Sequence, residues 1–203
     1  GTSTGAPAND IDGDTRPQGA GYDMGADEYP RILPANILIT PTIGTVGSAV
    51  TVIGSGFIAN ETVRVSFGTT LSITTVSATD GGTFATCFIA DTQTYGSTTI
   101  HVTGIVSAST SDTVFSILPS ILSIQPTMGT VGSLVTVAGN GYMASEQIRI
   151  SFGTTKTITI IPSNANGMFT CCFIVDTQSY GIKTIAAYGL TSNISVAGSF
   201  AIK

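Results

Sequence analysis

The chain has 203 residues, enough for one large or two small domains, and it is apolar for its charge: 42% of residues are hydrophobic and 9% charged, with a mean hydropathy of +0.39. A net charge of −5 without basic clusters argues against binding nucleic acid, which rests on neutralising phosphates, and no run reaches the roughly 18 apolar residues of a membrane helix. Thr, Ser and Gly supply the surface polarity instead, so little repulsion separates molecules and self-association is favoured.

Residues 1–31 read as an acidic, Gly-rich arm. The stretch NDIDGDTRPQGAGYDMGADEYP, Asn9 to Pro30, holds six of the twelve acids and one of the seven basic residues. Asp10, Asp12 and Asp14 alternate, and Gly13 lets the loop turn tightly. Calcium takes six to eight oxygens, and carboxylates at alternating positions can converge on one ion. The distal glutamate of an EF-hand is missing at its usual spacing. The competing reading is that Arg16 pairs with one Asp while the others form Asx turns. Asp23, Asp27 and Glu28 join a site only if the chain folds back. Calcium is thus an optional ligand, and no cofactor is required. The string D-I-D-G-D-x-R-P-Q-G-x-G-Y-D-x-G-A-D-E-Y resembles the closing segment of secreted right-handed β-helix proteins of the choice-of-anchor Q type, without the preceding coils. Gly1 without an initiator Met reads as the start of a processed product or a fragment.

From Ile32 onward the chain repeats itself. ILPANILITPTIGTVGSAVTVIGSGF at Ile32 returns as ILPSILSIQPTMGTVGSLVTVAGNGY at Ile117, and the offset of 85 residues holds to the end. SFGTT at Ser66 recurs at Ser151, CFIADTQTYG at Cys87 recurs as CFIVDTQSYG at Cys172, and Phe115 matches Phe200. The absence of any insertion points to recent duplication or to loops constrained by contacts. The units are 32–116 and 117–203.

Each unit reads as β. Val50 and Val52 alternate with Thr51, and Val63, Val65 and Phe67 alternate with Arg64 and Ser66, which is the period of a half-buried strand. Gly44–Gly47, Gly54–Gly56, Gly68 and Asp80-Gly81-Gly82 punctuate the runs as turns. No window shows a capped helical period. Seven or so strands per unit predict two tandem immunoglobulin-like β-sandwiches behind an irregular arm, an all-β chain. The join at Ser116–Pro119 has no flexible linker, so the sandwiches are expected to stack end to end. The spaced motif P-T-x-G-T-V-G-S-x-V-T-V-x-G-x-G-[FY], with V-R-V-S-F-G-T-T and G-T-F-A-T-C-F, resembles the IPT/TIG family of immunoglobulin-like domains. That resemblance implies stalks and repeats of surface proteins, carbohydrate-associated enzymes and receptors. DNA-binding relatives use basic loops that this chain lacks.

Catalytic chemistry has little to rest on. His101 is the only histidine, with Ala186 as its repeat equivalent; a Ser–His–Asp relay competes with an incidental strand histidine. One His and three Cys lack metal-ligand spacing for zinc. Asp91 and Asp176 read as turn caps, one per unit, rather than paired carboxylates. The expectation is no enzyme activity.

The cysteines speak to assembly. With Phe84 and Phe88 inward, alternation places Thr86 inward and Cys87 and Ile89 outward; in the second unit Phe169, Cys171, Phe173 and Val175 face in, and Cys172 and Ile174 out. Strands apolar on both faces are usually covered on both, which makes Cys87, Ile89, Cys172 and Ile174 a candidate subunit interface. Free buried thiols are the competing reading, and a Cys171–Cys172 disulfide a third. Asn60 and Asn193 match the N-glycosylation sequon, so glycans are candidate adducts. These features favour an extracellular, secreted structural protein that self-assembles into a fibre or surface layer without entering a membrane. The alternative is a monomeric adhesin stalk or carbohydrate-associated module, which wants an aromatic platform; the chain has no Trp, and its tyrosines are scattered.

Overall fold

The structure, a computed structural model, describes residues 7–9 and 34–203. Asp10, Asp12, Asp14, Asp23, Asp27 and Glu28 lie outside the described residues.

Strands β1 (Asn36–Thr40), β2 (Ile43–Thr45), β3 (Ala49–Ser55), β4 (Thr62–Phe67), β5 (Thr70–Ser77), β6 (Phe84–Ile89), β7 (Gly96–Gly104) and β8 (Thr110–Leu118) build the first unit. They form a three-stranded sheet, β1-β3-β6, and a five-stranded sheet, β2-β8-β7-β4-β5. The second unit repeats this with β9 (Ser120–Gln125), β10 (Met128–Gly129), β11 (Leu134–Asn140), β12 (Gln147–Phe152), β13 (Thr155–Pro162), β14 (Phe169–Ile174), β15 (Gly181–Gly189) and β16 (Ser195–Ile202). Its sheets are β14-β11-β9 and β10-β16-β15-β12-β13. The chain is all-β, with no helix among the described residues.

Eight strands appear per unit rather than seven because the first one splits. Pro41 has no N–H for a ladder, and the chain there leaves its antiparallel partner β3 and pairs in parallel with β8. The Thr40–Pro41 peptide is cis, as is Gln125–Pro126 at the same place in the second unit.

Strict alternation creates the cores. In β3 the sequence AVTVIGS buries every second residue, and β4 does the same with Val63, Val65 and Phe67. The two sheets of each unit meet through these residues; Phe67 of one packs on Phe88 of the other with ring centroids 5.2 Å apart, and Phe152 on Phe173 at 5.5 Å. Each such fully buried side chain contributes about 1.5–3 kcal/mol. The cores are separate clusters, one for each unit.

Two glycines differ from the turn reading. Gly44 lies in β2 and Gly54 in β3. A Cβ on Gly54 would sit 2.2 Å from the Phe84 ring, so an aromatic thirty positions downstream, rather than a turn, requires glycine there. Gly56, Gly68 and Gly82 do turn with positive φ.

Candidate functional site

The outer face of the β1-β3-β6 sheet carries no charge and mixes aliphatic side chains with Asn36, Thr40, Thr51 and Ser55. Register aligns Leu38 with Ile53, Ile53 with Ala85, Thr51 with Cys87 and Ala49 with Ile89. Leu38, Ile53 and Ile89 are 66%, 50% and 59% exposed. Leu38 and Ile53 lie on one side of the row Thr40, Thr51 and Cys87, and Ile89 on the other. Cys87 is exposed at the centre of this face. In the second unit the corresponding rows carry Ser123, Ala138 and Thr170, then Gln125, Thr136 and Cys172, and end in Leu134 with Ile174. The apolar character there is confined to one end of the sheet.

All three cysteines are free thiols, with Cys87 and Cys172 exposed and Cys171 buried. Burial, and then the neighbouring Cys172, push the Cys171 thiol up to about 11. Cys172 lies 3.3 Å from the Thr136 hydroxyl.

Two buried acids escaped the sequence reading. Glu61 is 4% exposed in the loop before β4. It accepts from the N–H groups of Ile58 (2.6 Å), Val106 (3.0 Å) and Ser107 (2.9 Å), and from the Ser107 hydroxyl (2.8 Å). Burial pushes its carboxyl up, but these donors from Ser107, Ile58 and Val106 outweigh it and hold the group below its ordinary 4.5. Glu146 does the same with the N–H groups of Met143, Thr191 and Ser192, and is likewise held low. Each carboxylate ties the β3–β4 or β11–β12 loop to the hairpin loop 45 residues on. The one available signal was an acid repeated at the same position of both units.

Asp91 and Asp176 are cross-ties more than turn caps. The Thr70 hydroxyl donates to Asp91, whose other oxygen accepts from Gln93 at 2.8 Å; Gln93 also donates to the Phe67 carbonyl at 3.3 Å. Thr155, Asp176 and Gln178 repeat the arrangement. The two repeated strings, FGTT and DTQ, are therefore one interlock. The interlock holds these two loops together in both units.

His101 sits on the outer face of β7, where Nδ1 meets Asp112 and Nε2 lies 3.0 Å from the Thr103 hydroxyl. The trio lies open on a sheet whose backbone N–H groups serve the ladders to β4 and β8, so it lacks oxyanion donors of the kind acyl transfer needs. Among the described residues no group of three or more His, Cys, Asp or Glu could hold a metal ion. Asn60 and Asn193, both exposed, have positive φ. The Asn60 amide donates to Asp80 at 2.9 Å, and Asn193 accepts from the Tyr188 hydroxyl at 2.8 Å.

The units meet at a defined joint. The Tyr95 N–H, in the DTQTYG loop of the first unit, donates to the Tyr142 carbonyl of the second at 3.0 Å. Pro119 is buried, and a Cβ on Gly141 would lie 2.6 Å from the Leu118 carbonyl oxygen. The spaced motif, from Pro126 to Tyr142, ends at that joint with Gly141 and Tyr142.

Residues 119–193 match the IPT/TIG domain family. The first unit repeats the residues of the spaced motif at the 85-residue offset, from Pro41 to Phe57. No curated protein matches the chain. Among solved structures it is similar to the Yersinia pseudotuberculosis adhesin InvE at 12% identity and a TM-score of 0.39, over 84% of this chain and 59% of that one. Invasin, a bacterial integrin-binding protein, aligns at 14% identity and a TM-score of 0.41, over 84% and 40%. Red sea bream transglutaminase aligns at 9% and 0.36, over 85% and 32%. The chain thus spans less than two thirds of each of these proteins, and an adhesin, an integrin binder and an enzyme at such scores leave the functional reading to the site itself.

Proposed function

We propose that the chain is an extracellular, non-enzymatic structural protein whose IPT/TIG-like units assemble into a fibre or surface layer. The observation that carries this is the uncharged outer face of β1-β3-β6, where Leu38, Ile53 and Ile89 stand open around Cys87. Burying such a face against another subunit removes apolar surface from water at about 25 cal/mol per Å², and a chain with 9% charged residues offers little repulsion to oppose it. The acidic arm is the second element of the proposal. Its Asp10, Asp12 and Asp14 give calcium a role in pinning the arm against a neighbour.

The test is native electron microscopy and sedimentation of the purified chain, with calcium and with a chelator. Fibres or sheets that form with rising concentration are the expected result, and chelation shortens them. Strictly monomeric particles at high concentration refute assembly, and leave the monomeric stalk or binding module as the reading to pursue.

A further inference from the structure

The joint between the two units leaves a mark in the burial of equivalent residues. Where the first unit abuts the second, Gln93 is buried and Val46, Thr94 and Tyr95 are half-buried. Their equivalents one repeat later are all more open: Gln178 is half-buried, Val131 and Ser179 are exposed, and Tyr180 is 84% exposed. The backbone beneath is the same, with Gly96 and Gly181 both at a φ of 111°. The second unit therefore presents, uncovered, the surface that the first unit uses as a seat.

That surface keeps its apolar side chains in the second unit. Valine is kept at Val46 and Val131 and tyrosine at Tyr95 and Tyr180, while Ser97 becomes Ile182, which is 77% exposed. Charge is gained around it as well, with Lys183 in place of Thr98, Lys203 in place of Leu118 and Lys156 in place of Leu71; Lys183 donates to the Ser179 hydroxyl at 2.7 Å.

The knob that fits such a seat is repeated too. The loop that receives Tyr95 runs from Gly141 to Glu146, with positive φ at Gly141 and Ser145; in the first unit Gly56 and Asn60 have the same signs. The Tyr142 N–H bonds to the Gly167 carbonyl at 3.0 Å, and the Phe57 N–H to the Gly82 carbonyl at 3.2 Å. Both loops are pinned from beneath by the buried glutamates.

We infer that the Tyr180–Ile182 end of the second unit docks onto the Gly56–Glu61 loop of a second copy of this chain, reproducing the intramolecular joint in trans. The contact is heterologous and head-to-tail, so it propagates into an open filament instead of closing a dimer. The inference rests on the self-assembly reading above and names its longitudinal interface. An end-on contact of this kind is small, which makes association weak for a single pair and dependent on concentration.

The experiment compares the full chain with Tyr180→Ser/Ile182→Ser, and with Leu38→Ser/Ile53→Ser on the sheet face, by sedimentation velocity and electron microscopy. All four side chains are exposed, and circular dichroism checks that each variant is folded. The expected result is that the end variant raises the concentration at which chains associate by at least about tenfold, as loss of two interface anchors does, and abolishes long filaments. The sheet-face variant is expected to keep single filaments. End-variant assembly indistinguishable from the unsubstituted chain overturns this interface while the self-assembly reading stands. An unsubstituted chain that is monomeric at every concentration overturns both.

Discussion

Replacing Glu61 with Gln tests whether a buried carboxylate holds the loops of the first unit. Its two oxygens accept from three backbone N–H groups and one hydroxyl. An amide keeps one acceptor oxygen. If its NH2 faces Val106 and Ser107, two N–H donors are opposed; if it faces Ile58, one is, while the Ser107 hydroxyl can turn to accept. A buried donor without a partner costs about 1–3 kcal/mol, and the surviving bonds lose their charge assistance. The expected loss is about 3 kcal/mol, which at a slope of roughly 1.5 kcal/mol per molar urea lowers the midpoint of the first unit by about 2 M. The assay is urea unfolding followed by circular dichroism, with Glu146→Gln as the partner experiment on the second unit; each substitution shifts its own unit, since the cores are separate. The pH dependence follows the same bonds. Glu61 and Glu146 are held below 4.5 in the folded chain, so the unfolded state binds more protons as pH falls. Their stabilisation is present above about pH 4.5 and is lost as pH drops through the folded values. The double Gln variant therefore has a flatter acid limb. A Glu61→Gln midpoint within about 0.3 M of the unsubstituted chain, a shift too small for even one lost donor, refutes the clamp.

Thiol labelling at neutral pH separates the three cysteines: Cys87 and Cys172 react with a maleimide in the folded chain, and Cys171, buried and pushed up to about 11, reacts only on unfolding. Mass spectrometry that finds three adducts before unfolding overturns that placement. For the turns, Gly82→Ala sets a Cβ 2.1 Å from the Phe57 carbonyl oxygen, whereas Gly47→Ala meets nothing within 4 Å. Both have positive φ, so Gly47→Ala costs about 1 kcal/mol and Gly82→Ala about 3 kcal/mol or more. Equal melting shifts for the two contradict the close approach.

Local periodicity made the architecture legible. Val50, Val52, Val63, Val65 and Phe67 alternate in the sequence and are buried in that alternation, because a strand turns successive side chains to opposite faces whatever lies around it. What escaped depends on residues far apart in the chain. Gly54 looks like punctuation until the Phe84 ring covers it. Glu61 looks like a solvated turn acid until Val106 and Ser107 arrive 45 or more residues later. Asp91 reads as a local cap, yet one of its bonds goes back to Thr70. Nothing local signals the split of the first strand, because Pro41 announces only that a ladder stops, not that another begins across the sandwich. The outward Cys87 and Ile89 follow from the pleat; the seat at Tyr180 becomes visible only when equivalent residues are compared for burial.

The parallel pairing of β2 with β8, and of β10 with β16, has a mechanical consequence. The chain enters each sandwich through β1 or β9, continues into the shorter strand of the pair, and leaves just after the longer one, at the opposite end. Tension along the axis pulls the paired strands past one another, so the bonds from Ser116 to Thr42, and from Ala201 to Thr127 and Lys203 to Gly129, are loaded together in shear and do not unzip one at a time. Each unit therefore resists stretching through the pairing of its entry and exit segments.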